Sequence, residues 1–202
     1  MRGKYIVFEG LDLSGKTYII NKIKKYKNEY IYMKEPGGLN NSSKIRDLIL
    51  DDKYDPLVYS YLFAADRLNN LPAMLKLLNK NKTIISDRSY LTSLYYQGVL
   101  EDVKDYNVIN INKYFINSIK IDKVFYIMTD KDTLLKRYEK RNKLNYLDNF
   151  VKQYDYDKSN AMYIKTIRKN VSAPMYIIDT SKEDLSKLIK KIINIIEKEN
   201  KL

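Results

Sequence analysis

The chain has 202 residues, with 37 Lys or Arg against 25 Asp or Glu and neither histidine nor cysteine. The length suits one compact domain. The lack of cysteine excludes a disulfide framework and a thiolate metal site, and the lack of histidine leaves a carboxylate or a lysine as the general base of any proton-transfer chemistry. The net charge of +12 raises the question of a nucleic-acid surface, but the lysines are scattered or lie on helix faces, as Lys22, Lys24, Lys25 and Lys27 do. Without a compact basic block and interleaved aromatics, the charge reads as compositional bias plus a phosphate site, and no nucleic-acid partner is expected.

The first apolar run, Tyr5–Phe8, reads as a buried strand. It leads into Gly10-Leu11-Asp12-Leu13-Ser14-Gly15-Lys16-Thr17, which matches the P-loop pattern. The stretch Thr17–Lys27, apolar at Tyr18, Ile19, Ile20 and Ile23, then reads as a helix. Strand, glycine loop and helix in that order give the motif its physical meaning. Backbone N–H groups of the loop cradle phosphate at a helix N-terminus. Lys16 is placed to reach the β- and γ-phosphates, and the Thr17 hydroxyl to ligate Mg²⁺.

A second strand, Tyr30–Met33, runs into Lys34-Glu35-Pro36-Gly37-Gly38, a tight turn signal. Pro56–Asn79 has helical periodicity and puts Phe63 and Arg67 on one face, where a ring and a cation could grip a nucleobase; a core Phe beside a solvated Arg is the default reading. The strand Thr83–Ser86 ends in Asp87-Arg88. The acid at such a strand end can hold Mg²⁺ or its water, and the arginine can grip a phosphate. In Thr92–Gly98, Ser93 and Gln97 lie four apart and share a helix face, both able to bond a base edge. The strand Val124–Met128 precedes a helix over Lys131–Arg141. There the basic cluster Arg137, Lys140, Arg141 and Lys143 is a solvated face by default and otherwise a lid over phosphates. The strand Met175–Ile178 and an amphipathic helix in Ser181–Glu199, apolar at Leu185, Leu188, Ile189, Ile192, Ile193 and Ile196, complete the chain.

Strands alternating with helices predict an α/β fold with a five-stranded parallel sheet flanked by helices, and ligands at the carboxyl ends of the strands. There is no repeat and no linker, so a single domain over 1–202 is expected. No apolar run reaches the roughly 18 residues of a membrane span. An N-terminus that carries Glu9 and Asp12 does not read as a secretory signal, so a cytoplasmic location is expected.

Taken in order, these motifs resemble the thymidylate kinase family along the whole length. The matching pieces are Phe8-Glu9-Gly10-Leu11-Asp12 through Thr17, Glu35-Pro36-Gly37-Gly38, Ile45-Arg46 through Leu50, Phe63-Ala64-Ala65-Asp66-Arg67, Asp87-Arg88 with Tyr96-Gln97-Gly98, and Ile178-Asp179-Thr180-Ser181. The resemblance implies a P-loop NTPase fold with a small helical lid within about 137–150. It implies transfer from ATP to dTMP, with Mg²⁺, in a homodimer that docks through Pro56–Asn79 and its neighbours. It implies that Phe63 stacks on thymine, that Arg67, Ser93 and Gln97 read its edge, and that Tyr96 lies under the deoxyribose and excludes a 2′-hydroxyl. Arg46 and Arg88 would hold the monophosphate with Glu35 in the same loop cluster, Asp12 would approach the 3′-hydroxyl near Mg²⁺, and Asp179 would lie near the adenine. The P-loop positions Leu11, Asp12, Leu13 and Ser14 carry no base, so the charge-stabilising cation is expected from the lid, with Arg141 first. The chain departs from the family pattern at Ser89, where an aromatic or His is usual, at Lys34, where Arg is common, and in the lid, which lacks an Asp-Arg pair.

Two alternatives carry different signatures. Asp87-Arg88-Ser89 and Glu35-Pro36 also resemble the deoxynucleoside kinases, in which Asp87 would be the base that activates a hydroxyl. Against that stand Leu11-Asp12 in place of Asn-Ile and the absence of tryptophan. An NTP-dependent nucleic-acid-binding protein would account for the charge, but the chain has no guanine-reading Asn-Lys-x-Asp.

Overall fold

In the computed structural model the described residues are 2–39, 43–51, 53–140 and 155–198. They contain five strands: β1 Tyr5–Glu9, β2 Ile31–Lys34, β3 Ile84–Asp87, β4 Lys123–Met128 and β5 Met175–Asp179. These form one sheet in the order β2-β3-β1-β4-β5, parallel at every pairing. The helices are α1 Lys16–Tyr26, α2 Ser43–Leu50, α3 Pro56–Asn79, α4 Tyr90–Ser93, α5 Asp105–Ser118, α6 Lys131–Glu139, α7 Tyr156–Asn170 and α8 Leu185–Glu197, with a π-helix over Leu94–Leu100.

Parallel strands buried on both faces read as continuous apolar runs, and β1 (Tyr-Ile-Val-Phe-Glu) is buried at every position. Its alternate side chains feed two cores. Tyr5 and Val7 pack with Met74, Leu78, Tyr95, Phe115 and Tyr163 from α3, the π-helix, α5 and α7. Ile6 and Phe8 pack with Ile19 and Ile23 of α1 and with Leu188, Ile192 and Ile196 of α8. The isoleucine stripe expected in the last helix therefore covers one sheet face. Asp55 caps α3 by accepting the Leu57 N–H at 2.8 Å, with Pro56 supplying the first turn.

The expected strands are all present, each shifted or extended by one residue. The helix expected to reach Arg141 ends at Glu139; Arg141 itself, and the 141–150 part of the expected lid, lie outside the described residues. Helical continuity through Thr92–Gly98 is replaced by an α-turn that widens into the π-helix. Because β1 lies between β3 and β4, its carboxyl end opens beside theirs, which is where an open α/β sheet presents ligand sites.

Candidate active site

Gly10 leaves β1 at φ 142°, and a Cβ there would stand 2.2 Å from the Ile127 carbonyl oxygen, so only glycine lets the loop turn against β4. The loop returns through Gly15 at φ 103° into α1, whose N-terminus faces a cavity of about 520 Å³. That cavity is lined by Asp12, Leu13, Gly15, Lys16 and Thr17 from the loop, by Lys34, Glu35 and Pro36 from the end of β2, by Arg46 and Leu50 of α2, by Asp87 and Arg88 at the end of β3, and by Tyr18 and Arg137.

Lys16 is buried and its Nζ donates to the carbonyls of Gly10 and Leu11 at 2.9 and 2.8 Å. Burial and the neighbouring Arg88 charge lower its pKa to about 8. The Thr17 hydroxyl donates to Asp87 Oδ2 at 2.5 Å, and Asp87 Oδ1 is buried without a hydrogen-bond partner. A hydroxyl and a carboxylate oxygen with a free lone pair are hard ligands that suit Mg²⁺. Among the described residues no group of three or more acidic or thiol side chains could hold a metal by itself, so phosphate and water oxygens would complete such a shell.

Across the cavity, Arg88 Nη2 donates to Asp12 Oδ1 at 2.6 Å, and Tyr96 OH donates to Asp12 Oδ2 at 3.2 Å. Burial alone would raise the Asp12 pKa, but the Arg88 and Lys16 charges outweigh it and hold the carboxyl below its ordinary value. Arg46 Nη1 donates to the Pro36 carbonyl at 2.5 Å, which sets α2 against the Glu35–Gly38 turn. That turn is tied in turn to α3, since Gly37 N–H donates to Asp66 Oδ2 at 2.9 Å and Leu39 N–H to Asn70 Oδ1 at 2.6 Å.

Of the residues expected to read a base, Arg67 meets both Phe63 and Ser93, Gln97 bonds Glu101 instead, and none of the four is among the residues lining the cavity. Arg67 is turned inward: its Nε donates to Glu35 Oε2 at 2.7 Å, Nη1 to Asn112 Oδ1 at 2.9 Å, and Nη2 to Ser93 Oγ at 2.8 Å and the Ser89 carbonyl at 3.2 Å. Its guanidinium lies 5.7 Å from the Phe63 ring centroid, so the two do share a face; the solvated-arginine alternative does not hold. Burial raises the Glu35 pKa to about 7 against the opposing pull of Arg67. Gln97 Nε2 donates to Glu101 Oε2 at 3.4 Å, while Gln97 Oε1 is buried without a partner. The wider π-helix turn separates the Ser93 and Gln97 side chains onto different partners. Asp179 ends β5 and accepts from Ser181 N–H and Oγ at 3.0 and 2.6 Å, and it is not among the residues lining the cavity.

One cation of the basic cluster does reach the loop. Arg137 Nη1 donates to the Leu13 carbonyl at 2.8 Å, and it stands 3.2 Å from where a Gly15 Cβ would be. Arg141, the cation expected first for this role, lies outside the described residues. Glu9, Thr92 and Tyr163, which the sequence reading passed over, form a buried polar cluster directly under Arg88.

The thymidylate kinase family model matches residues 8–192. The chain is 31% identical to a thymidylate kinase of Mycoplasma genitalium, over 97% of each chain. It is 32% identical to one of Ligilactobacillus salivarius, over 97% of this chain and 98% of the relative. Its fold is similar to that of a solved thymidylate kinase from Ehrlichia chaffeensis, with a TM-score of 0.72 at 21% identity over 98% of this chain and 100% of the other. A Candida albicans thymidylate kinase structure gives 0.71 at 22% identity over 97% and 92%.

Proposed function

The chain belongs to the thymidylate kinase family, and from that premise we infer that its site transfers the γ-phosphoryl group of ATP to dTMP, giving ADP and dTDP. The observation that supports this most is that residues of the Gly10–Thr17 loop, with Lys16, line one cavity together with the cations Arg46 and Arg88. Phosphoryl transfer needs donor and acceptor phosphates in line and their charge stabilised, and little else from the protein.

The loop N–H groups of residues 10–17 hold the donor triphosphate, and Lys16 meets its β- and γ-phosphates. Thr17 and Asp87 would hold Mg²⁺, which would supply positive charge against the charge developing in the transfer. Arg46 and Arg88 hold the acceptor phosphate. Its oxygen is already anionic, so it attacks without a strong base, in keeping with a chain that has no histidine. Arg137, already at the loop, is in place to stabilise the transferring phosphoryl as an arginine finger does, the role the sequence reading gave to Arg141. Asp12, held between Arg88 and Tyr96, meets the sugar 3′-hydroxyl, and Tyr96 excludes a 2′-hydroxyl. Phe63, Arg67, Ser93 and Gln97 recognise thymine once the Arg67–Ser93 and Gln97–Glu101 bonds are exchanged for bonds to the base. Asp179 lies toward the adenine.

The proposed organisation is one domain with a lid within about 137–150, in the cytoplasm. The assembly is a homodimer through the exposed Leu57, Tyr61 and Leu68 of α3 and Tyr106 and Tyr114 of α5. The α3 and α5 helices pack side by side. Sedimentation of the wild type and of Tyr61→Glu tests this, with a dimer giving way to a monomer as the expected result. Activity is tested by offering ATP and Mg²⁺ with dTMP, thymidine or dUMP and following ADP. Release with dTMP and not with thymidine supports the reading. Release with thymidine alone moves it to a nucleoside kinase with Asp87 as base.

A further inference from the structure

Glu9 ends β1 immediately before Gly10, and nothing in the transfer described above uses it. Its side chain is fully buried and is held by three hydroxyls. Glu9 Oε1 accepts from Ser89 Oγ at 2.6 Å, and Oε2 accepts from Thr92 Oγ1 and Tyr163 OH, each at 2.6 Å. The Thr92 and Tyr163 oxygens are also 2.9 Å apart. A hydroxyl oxygen keeps acceptor capacity whichever way its single proton points, and Arg88 Nη1 donates to Thr92 Oγ1 at 3.3 Å. The other arm of Arg88 is the one that grips Asp12.

Glu9 thus constrains Arg88 from two directions. It pins Ser89, the next residue in the chain, whose hydroxyl also accepts the Leu91 N–H to start α4. It also pins Thr92, the direct partner of the guanidinium. Arg88 adopts φ 78°, a conformation that a non-glycine residue keeps only where its surroundings impose it. Burying a carboxylate carries a desolvation cost that an apolar side chain of similar size would not. Burial pushes the Glu9 pKa up against the opposing pull of its three hydroxyl partners and Arg88. The third hydroxyl comes from α7, where Tyr163 stacks on Tyr95 at 4.1 Å and meets Tyr96 edge-on at 6.2 Å. The ring that donates to Asp12 therefore packs on Tyr163, and the arginine that grips Asp12 bonds Thr92, and both Tyr163 and Thr92 donate to Glu9.

We propose that Glu9 is a positioning residue for Arg88, setting through Ser89 and Thr92 the guanidinium that holds the acceptor phosphate. The proposal rests on the reading of Arg88 as an acceptor-phosphate residue. It is tested by steady-state kinetics in both substrates and by calorimetric binding of dTMP. The proteins are the wild type, Glu9→Gln, Thr92→Val, Tyr163→Phe and the Glu9→Gln/Thr92→Val double variant. Losing a bond that orients a charged group should raise the KM and the Kd for dTMP about tenfold in Glu9→Gln, with the KM for ATP within twofold of wild type. Thr92→Val should reproduce most of the change. The double variant should be no worse than Glu9→Gln, because both act through one guanidinium.

An equal rise in the KM for ATP would overturn the proposal, since Glu9 would then be shaping the P-loop. So would a lowered melting temperature with unchanged kinetic constants, or a double variant whose effect is the product of the two singles. If Glu9→Gln does not fold, Thr92→Val and Tyr163→Phe decide: weakened dTMP binding in Thr92→Val supports the proposal, and wild-type dTMP binding in both overturns it. A wild type that transfers nothing to dTMP would remove the acceptor reading itself, and is distinguished by failing before any variant is compared.

Discussion

The donor and acceptor walls of the cavity are built on different plans. The donor wall is one unbroken stretch, residues 10–17, whose working groups are mostly backbone N–H and whose shape depends on two glycines at positive φ. The acceptor side is gathered from segments far apart in the chain. Arg67 alone reaches 32 residues to Glu35, 45 to Asn112 and 26 to Ser93, and all of these groups are buried. The loop lines the cavity, whereas the Arg67 network is buried in the fold and ties the end of β2 to α3, α4 and α5, with Glu35 Oε1 and Gln97 Oε1 left without a partner. Damage to the donor wall should therefore be felt in turnover, and damage to the acceptor network in stability as well.

The largest effect expected is on the acceptor side. Arg67→Met removes the partner of Glu35 and leaves a buried acid without its counter-charge, which should cost about 3–5 kcal/mol of stability. Urea unfolding measures it, and a variant within about 1 kcal/mol of wild type would mean that the network is dispensable to the fold. On the donor side, Lys16→Ala should lower turnover roughly 10²–10³-fold, as the loss of one charge-stabilising donor does, with the urea midpoint near wild type. Arg88→Ala belongs to both walls through Asp12 and Thr92 and should show both losses. If Lys16→Ala unfolded as readily as Arg67→Met, the contrast between the walls would fail.

A smaller effect sharpens the comparison within the acceptor side. Tyr96→Ala should narrow discrimination against the ribonucleotide acceptor by roughly 1–3 kcal/mol, the range expected for a packing-based filter. The ratio of kcat/KM values for the deoxy- and ribo-substrates checks it. An unchanged ratio would leave Tyr96 as a donor to Asp12 and a ring packed edge-on against the Tyr95–Tyr163 stack.

The same contrast explains what could be read in the chain. The donor wall was legible because its chemistry is contiguous, and the five strands were found because apolar runs bounded by turn residues leave few other options. The acceptor side was legible only as residue types. Phe63 and Arg67 could be placed on one helix face, but nothing local to α3 says that the guanidinium turns inward, because its partners lie just past β2, at the start and end of α4, and on α5. The π-helix was invisible for the same reason. Its wider turn buries both Tyr95 and Tyr96, and that arrangement is stabilised by Tyr163 from α7 rather than by any spacing in Leu94–Leu100. Glu9 was given no role of its own because its three partners come from β3's exit, α4 and α7. Arg137 was one of four basic residues of which Arg141 was expected first, because nothing local says which of them meets the Leu13 carbonyl.

The pH dependence separates the two walls most finely. Lys16 is buried, and burial with the nearby Arg88 brings its pKa down to about 8 in the free protein. Its ammonium must be charged to meet a triphosphate, so rising pH removes the productive form. The kcat/KM for ATP, which reports the free enzyme, should be insensitive to this group below about pH 8 and fall about tenfold per unit well above it. Bound phosphates favour the charged lysine and raise its pKa. Measured at saturating ATP, kcat and the kcat/KM for dTMP should therefore hold to higher pH. A fall near pH 8 in the ATP profile alone places the titration on the donor wall. The same fall in the dTMP profile at saturating ATP would mean that the titrating group is not a lysine covered by bound phosphates, and would remove Lys16 as its source.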